Sequence, residues 1–115
     1  MVKGTKQPKG HTPLHYVGRL YDGDDIYKVT EAIVTPSKIM VDWKEGHSIG
    51  SMKVTSSNGR EYSGGYRYND DTSPRTTDLV RSDEAGGDVV LVGTWRDTTV
   101  QNWRGEWTFK LTPRA

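Results

Sequence analysis

The chain is 115 residues long, room for one domain. Only 32% of its residues are hydrophobic, yet it carries four Trp and six Tyr, so aromatic rings must supply much of any core it builds. Lys and Arg number 16 against 15 Asp and Glu, a net charge of +1 that fits a polyanion poorly, and no apolar run of about 18 residues exists to cross a membrane as a helix.

Residues 1–13 read as a flexible basic lead-in, and residues 14–115 as a single all-β domain. Lys3, Lys6 and Lys9 put +3 on the first eleven residues, which leaves −2 on the other 104. Three charges suit a solvated terminus better than a nucleic-acid arm, so neither nucleic acid nor a membrane is expected as a partner. No signal-peptide core stands at the start, and the chain has no cysteine for disulfides or thiolate zinc. The expected compartment is cytoplasmic.

From residue 14 onward, turn chemistry interrupts the apolar residues every 8–14 positions or so, the rhythm of an all-β domain. The expected strands are 14–21, 26–35, 37–45, 51–56, 60–68, 76–82, 88–96 and 103–112. The first break, Asp22-Gly23-Asp24-Asp25, resembles a fragment of a calcium loop. It lacks the further acids and the glutamate at position twelve, and a hairpin turn explains it as well.

In strand 26–35 alternation leaves two registers open. One turns Tyr27, Val29 and Ile33 inward together with Glu31; the other turns Ile26, Thr30, Ala32 and Val34 inward. An inward Glu31 would need a partner or a proton, and would be a candidate general acid/base or ligand anchor. Strand 37–45 sets Ile39, Val41 and Trp43 against Lys38, Asp42 and Lys44. Asn58-Gly59 predicts a type I′ turn between strands four and five. Tyr62, Gly64, Tyr66 and Tyr68 share a face of the fifth strand, and Arg81, beside Leu79, poses the same question as Glu31. Strand 88–96 is partly apolar on both faces, which reads as a central strand or one covered on both sides. The last strand is the cleanest: Trp103, Gly105, Trp107, Phe109 and Leu111 fall on one face, opposite Arg104, Glu106, Thr108 and Lys110. No stretch shows a helical period. Eight short antiparallel strands in a meander bury their edges best as a small up-and-down barrel or a strongly curved sheet.

Tyr62-Ser63-Gly64-Gly65-Tyr66, Val92-Gly93-Thr94-Trp95 and Gly105-Glu106-Trp107-Thr108-Phe109 resemble strand patterns of the avidin-like and lipocalin-like (calycin) barrels. The resemblance covers residues 60–111. It implies an eight-stranded meander barrel that holds a small apolar ligand in its mouth. Lipocalins place their Gly-x-Trp near the chain start, whereas Gly93-Thr94-Trp95 comes late here, and no ligand-binding set of the family is carried over. Glycine on these faces also has a simple physical reading, since losing a side chain lets a strand curve.

His11, His15 and His47 show no metal-ligand spacing, no glycine-rich loop precedes a helix, and no cysteine nucleophile exists. No metal or cofactor is implied. Tyr62, Tyr66, Tyr68 and Arg67 could form part of an oligonucleotide-stacking surface, but the charge of −2 tells against it. The leading expectation is a non-enzymatic binding module whose barrel mouth, lined by Trp43, Tyr62, Tyr66, Trp95 and Trp107, takes a small apolar or aromatic ligand. In one alternative the rings fill the barrel, and the protein works through its outer surface as a partner-binding or homo-oligomeric module. In a second it is an isomerase- or cyclase-type enzyme using an inward Glu31 with tyrosines.

Overall fold

In the computed structural model, which describes residues 14–98 and 103–114, eight antiparallel strands close into a meander barrel. They are β1 (Leu14–Asp22), β2 (Asp25–Val34), β3 (Lys38–Glu45), β4 (Ser48–Thr55), β5 (Glu61–Tyr68), β6 (Arg75–Asp83), β7 (Val89–Asp97) and β8 (Trp103–Pro113). Each strand pairs with its neighbours in sequence, and β8 returns to pair with β1, so no edge is left open. The lead-in and most of the loop expected at 97–102 lie outside the described residues. A three-residue turn of 3-10 helix, Ala85–Gly87, is the helical content among them.

Period-two alternation places the core. Leu20, Val29, Ile39, Val41, Trp43, Val54, Tyr62, Leu79, Leu91, Trp107, Phe109 and Leu111 all turn inward and are buried. Trp103 shares the parity of Trp107 but not its surroundings: at the head of β8 it is 57% exposed. Strand β7 is not covered on both sides, since Val92 on its outer face is open to solvent and only Val90 beside it is buried. A closed barrel has no central strand to sandwich.

Two tight connections, Gly23-Asp24 and Gly46-His47, begin with glycines at φ 62° and 65°. That left-handed backbone matches the strand twist at little cost only for glycine. Asn58-Gly59 does not make the two-residue turn its sequence predicts. The connection runs from Ser56 to Arg60, because the Asn58 side chain accepts from the amides of Arg60 and Glu61 while Ser56 Oγ accepts from those of Asn58 and Gly59. Neither proposed register of β2 holds along its length. A bulge between Val29 and Glu31 switches the parity, so Tyr27 and Val29 point inward before it, and Ala32 and Val34 after it.

Half of the barrel repeats the other half. Tyr16-x-Gly18-x-Leu20 in β1 corresponds to Tyr62-x-Gly64-x-Tyr66 in β5, and Trp43-Lys44-Glu45 in β3 to Trp95-Arg96-Asp97 in β7. The ladders agree. Trp43 pairs with Gly50, and Trp95 with Gly105. Gly18 comes so close to the preceding strand that a Cβ there would lie 1.9 Å from the Lys110 carbonyl oxygen, and Gly64 stands likewise at 2.2 Å from that of Lys53. Side chains are missing there because backbone occupies their space, as the curvature reading of Gly64 implies.

Candidate functional site

One end of the barrel, formed by the β1–β2 and β3–β4 turns and the β5–β6 loop, collects the aromatic residues. Trp43, Tyr66, Tyr68, Trp95, Trp107 and Phe109 form a connected set of ring pairs with centroids 4.8–6.5 Å apart, most of them edge-to-face. The deep members, Trp43, Tyr66, Trp107 and Phe109, are buried, and Tyr68 and Trp95 are partly open; Tyr27, outside this set of ring pairs, is partly open as well and packs against the core. The Trp43 indole lies against Gly50, and the Trp95 indole against Gly105, where a Cβ would stand 2.2 Å and 2.7 Å from the ring. Small residues opposite large ones let two indoles enter one narrow barrel.

The indole N–H groups of Trp43, Trp95 and Trp107 each have an acceptor. Trp107 Nε1 donates to Thr77 Oγ1 at 3.1 Å, and the Thr77 hydroxyl in turn donates to the Thr94 carbonyl at 2.8 Å. Trp43 Nε1 and the Tyr68 hydroxyl both donate to Glu45 Oε1, at 3.3 Å and 3.1 Å, and Trp95 Nε1 donates to Asp22 Oδ1 at 3.2 Å. Carboxylates thus stand at the rim with rings beneath them. Burial, then the neighbouring Asp97, pushes the Tyr66 hydroxyl far above its ordinary value, and burial with Glu45 does the same to Tyr68. Burial also raises Asp22, against the pull of its Trp95 hydrogen bond.

Arg75 latches the β5–β6 loop onto this end. Its Nε donates to Asp97 Oδ2 and its Nη2 to Asp71 Oδ2, each at 3.0 Å, and its guanidinium lies 5.1 Å from the Tyr68 ring centroid. The side chains of Arg75 and Asp97 are 8% and 14% exposed. Ser73, from its hydroxyl and amide, with Arg75 beside it, holds the Asp71 carboxyl down at about 2.

Of the residues singled out from sequence, Trp43, Tyr66, Trp95 and Trp107 come together here. Tyr62 belongs to the opposite end, where its hydroxyl donates to the Thr35 and Pro36 carbonyls and accepts from Arg81 Nη1 at 3.2 Å. Arg81 does turn toward the interior, and its Nε is paired with Asp83. Glu31 is not inside: it sits on the flank, 44% exposed, with His15 Nδ1 2.9 Å from its Oε2. The bulge that switches β2 carries it out, and the inward carboxylate of the enzyme reading goes with it.

Alternation alone could not find Asp22, Glu45, Arg75, Asp97 and Thr77, although the repeated Trp-basic-acidic triplet marks two of them. Gly46-His47-Ser48-Ile49-Gly50 has the Gly-x-Ser-x-Gly spacing of a hydrolase nucleophile turn, contrary to the expectation that the chain holds none. Its structure is a β-hairpin with no helix behind it. Ser48 Oγ donates directly to Asp70 Oδ2 at 2.7 Å and ties the β3–β4 turn to the β5–β6 loop. Asp22, Asp24 and Asp25 likewise form a hairpin turn, and no group of three or more metal-ligating side chains is gathered among the described residues. No described helix is long and apolar enough to cross a membrane. Compared with known proteins, the chain matches no family model, no curated protein and no solved structure.

Proposed function

We propose that this chain is a non-enzymatic binding module that takes a small ligand at the ring-lined end of its barrel. The observation that carries this reading is the course of the aromatic cluster, which is dry at Trp43, Trp107 and Phe109 and comes to the surface at Tyr68 and Trp95, with the core-packed Tyr27 partly open as well. Rings touching at 4.8–6.5 Å leave the ligand a shallow seat on the cluster rather than a deep chamber. Trp95 and Tyr27 form the contact surface, with Trp43, Tyr66 and Trp107 as its floor. Tyr62 and Glu31 have no part in it. The calycin-type container is the frame of this proposal, and a cysteine-free chain suits a cytoplasmic setting.

Titration of tryptophan fluorescence with a panel of small apolar and aromatic compounds tests it. Saturable quenching is expected, and Trp95→Leu should abolish it; a flat response across the panel contradicts the reading.

One observation favours a second reading, in which the filled barrel works through its wall. Val80 and Val92 are exposed cross-strand partners on β6 and β7, beside an open groove of about 770 Å³. Light scattering decides whether the chain self-associates, and Val80→Lys with Val92→Lys should then return it to a monomer.

A further inference from the structure

Beyond the ring-lined end, we infer that a second face of the barrel, the outer wall of β8, β1, β2 and β3, binds single-stranded nucleic acid along a row of four cations. Lys110, Arg19, Lys28 and Lys44 stand in register across these consecutive strands: Lys110 is paired with Arg19, Arg19 with Lys28, and Lys28 with Lys44. All four are exposed. Among the described residues none of them forms an ion pair. Like charges directly opposite each other destabilise a sheet, and here such contacts follow one another without a break. Asp42 and Glu31, the acids of the next row away from the ring-lined end, face each other, and Glu31 is bonded to His15. The charge of −2 that speaks against a polyanion is an average over the body of the chain, and it hides this row.

Two further features of the wall point to the same ligand. Between β1 and β2 the row crosses an open groove of about 600 Å³, lined by Arg19 and Lys28 together with Val17, Ile26 and Thr112. One row nearer the ring-lined end, Thr108, Tyr21 and Ile26 stand in register and carry no charge. Ile26 is 58% exposed, and the Lys110 ammonium lies 5.8 Å from the Tyr21 ring centroid. Cations for the phosphates thus run alongside an apolar and aromatic strip for the bases, the combination by which proteins hold single strands with little regard to sequence.

The shape of the wall selects among polyanions. Four neighbouring strands of an eight-stranded barrel turn through about 135° of its circumference, so the four side chains fan out over a convex surface. A stiff duplex or a flat bilayer meets only part of such a row, whereas a flexible strand follows it. An acidic peptide would need a free strand edge for its backbone, and the closed barrel has none.

Fluorescence anisotropy of labelled oligo-uridine and oligo-thymidine on the full chain tests this. Four phosphate contacts predict a log–log salt slope of about −2.8, a loss of about fiftyfold between about 50 and 200 mM salt. Arg19→Gln with Lys28→Gln should halve that slope and weaken binding about tenfold or more at the lower salt. Lys38→Gln with Lys53→Gln makes the same change of charge off the row and should leave binding near that of the parent. The Arg19 and Lys28 pair also relieves repulsion within the row, so its urea midpoint at low salt should rise, which separates weaker binding from a folding defect. Binding of either oligonucleotide supports the row, and the tighter one identifies RNA or DNA as its source. No binding at low salt, unaltered binding by the Arg19 and Lys28 variant, or equal losses in the two double variants overturns the inference. A duplex or polyglutamate that binds as tightly as the single strands overturns it too. None of these outcomes bears on the ring-lined site, whose ligands are read by the quenching that Trp95→Leu abolishes.

Discussion

Replacing Gly50 with alanine adds one methyl group and tests how the rings are accommodated. A Cβ at this position would lie 2.2 Å from Trp43 Cε2, 2.3 Å from Cζ2 and 2.6 Å from Nε1, well inside van der Waals contact. The indole must retreat by about 1 Å to restore ordinary carbon–carbon spacing of about 3.5 Å. It has nowhere to go: Trp107 stands 5.7 Å away by ring centroid, Phe109 5.8 Å and Tyr68 6.1 Å, and Nε1 is tied to Glu45. Forced overpacking of this kind costs about 1–3 kcal/mol, and the rigidity of the cluster places Gly50→Ala toward the upper end. Gly65→Ala is the control, because its nearest contact is 3.3 Å and a strand alanine recovers about 0.5–1 kcal/mol of backbone entropy; it should stay within about 1 kcal/mol of the parent. Urea unfolding followed by fluorescence gives both values, and near-UV circular dichroism should change for Gly50→Ala alone. If Gly50→Ala matches the parent stability with an unchanged near-UV spectrum, the indole does not lie on Gly50 and the description of the cluster is wrong.

Thr77→Val should lower stability by about 1–3 kcal/mol in the same urea assay, since it removes the buried acceptor of Trp107 Nε1 while keeping the shape. Asp22→Asn keeps an oxygen for Trp95 and removes a carboxylate whose folded-state value lies above the ordinary 3.8. The wild-type fold therefore gains stability as pH falls through that raised value, so the variant should be the more stable at pH 7 and lose its lead as the pH is brought below 3.8. Tyr66 and Tyr68 should stay unionised in a spectrophotometric titration while freely exposed tyrosines ionise near 10. Because the unfolded chain releases those protons first, their contribution is complete below pH 10 or so and drains away above it, and a sharp alkaline unfolding step should accompany their ionisation.

The strands were legible because period-two alternation is strong wherever one face is dry, and β8 shows this from Gly105 to Leu111. The start of β4 was less visible: Ser48-Ile49-Gly50 offers little alternation, and the strand begins three residues before its expected start. Glu31 was undecidable in principle, since both registers are right for part of β2 and only the bulge, a tertiary feature, divides them. Tyr62 and Tyr66 share a face but serve opposite ends, and separating them takes the tilt and stagger of a closed barrel, which no single strand encodes. Trp103 matched the inward parity of β8 at a point where the barrel no longer encloses it. The carboxylates of the rim were missed because alternation sorts residues by face and is silent on strand ends. The repeated Trp-Lys-Glu and Trp-Arg-Asp triplets were the one trace of them in the sequence.

The indole N–H resonances of the four tryptophans test the central claim most directly, because Trp43, Trp95, Trp103 and Trp107 occupy different places in this account. On titration with a ligand that quenches fluorescence, Trp95 should shift most and saturate, Trp43 should follow through Glu45, and Trp103 should stay fixed. A saturable shift confined to Trp103, or none at Trp95 while binding is seen by calorimetry, would place the ligand elsewhere and contradict the account.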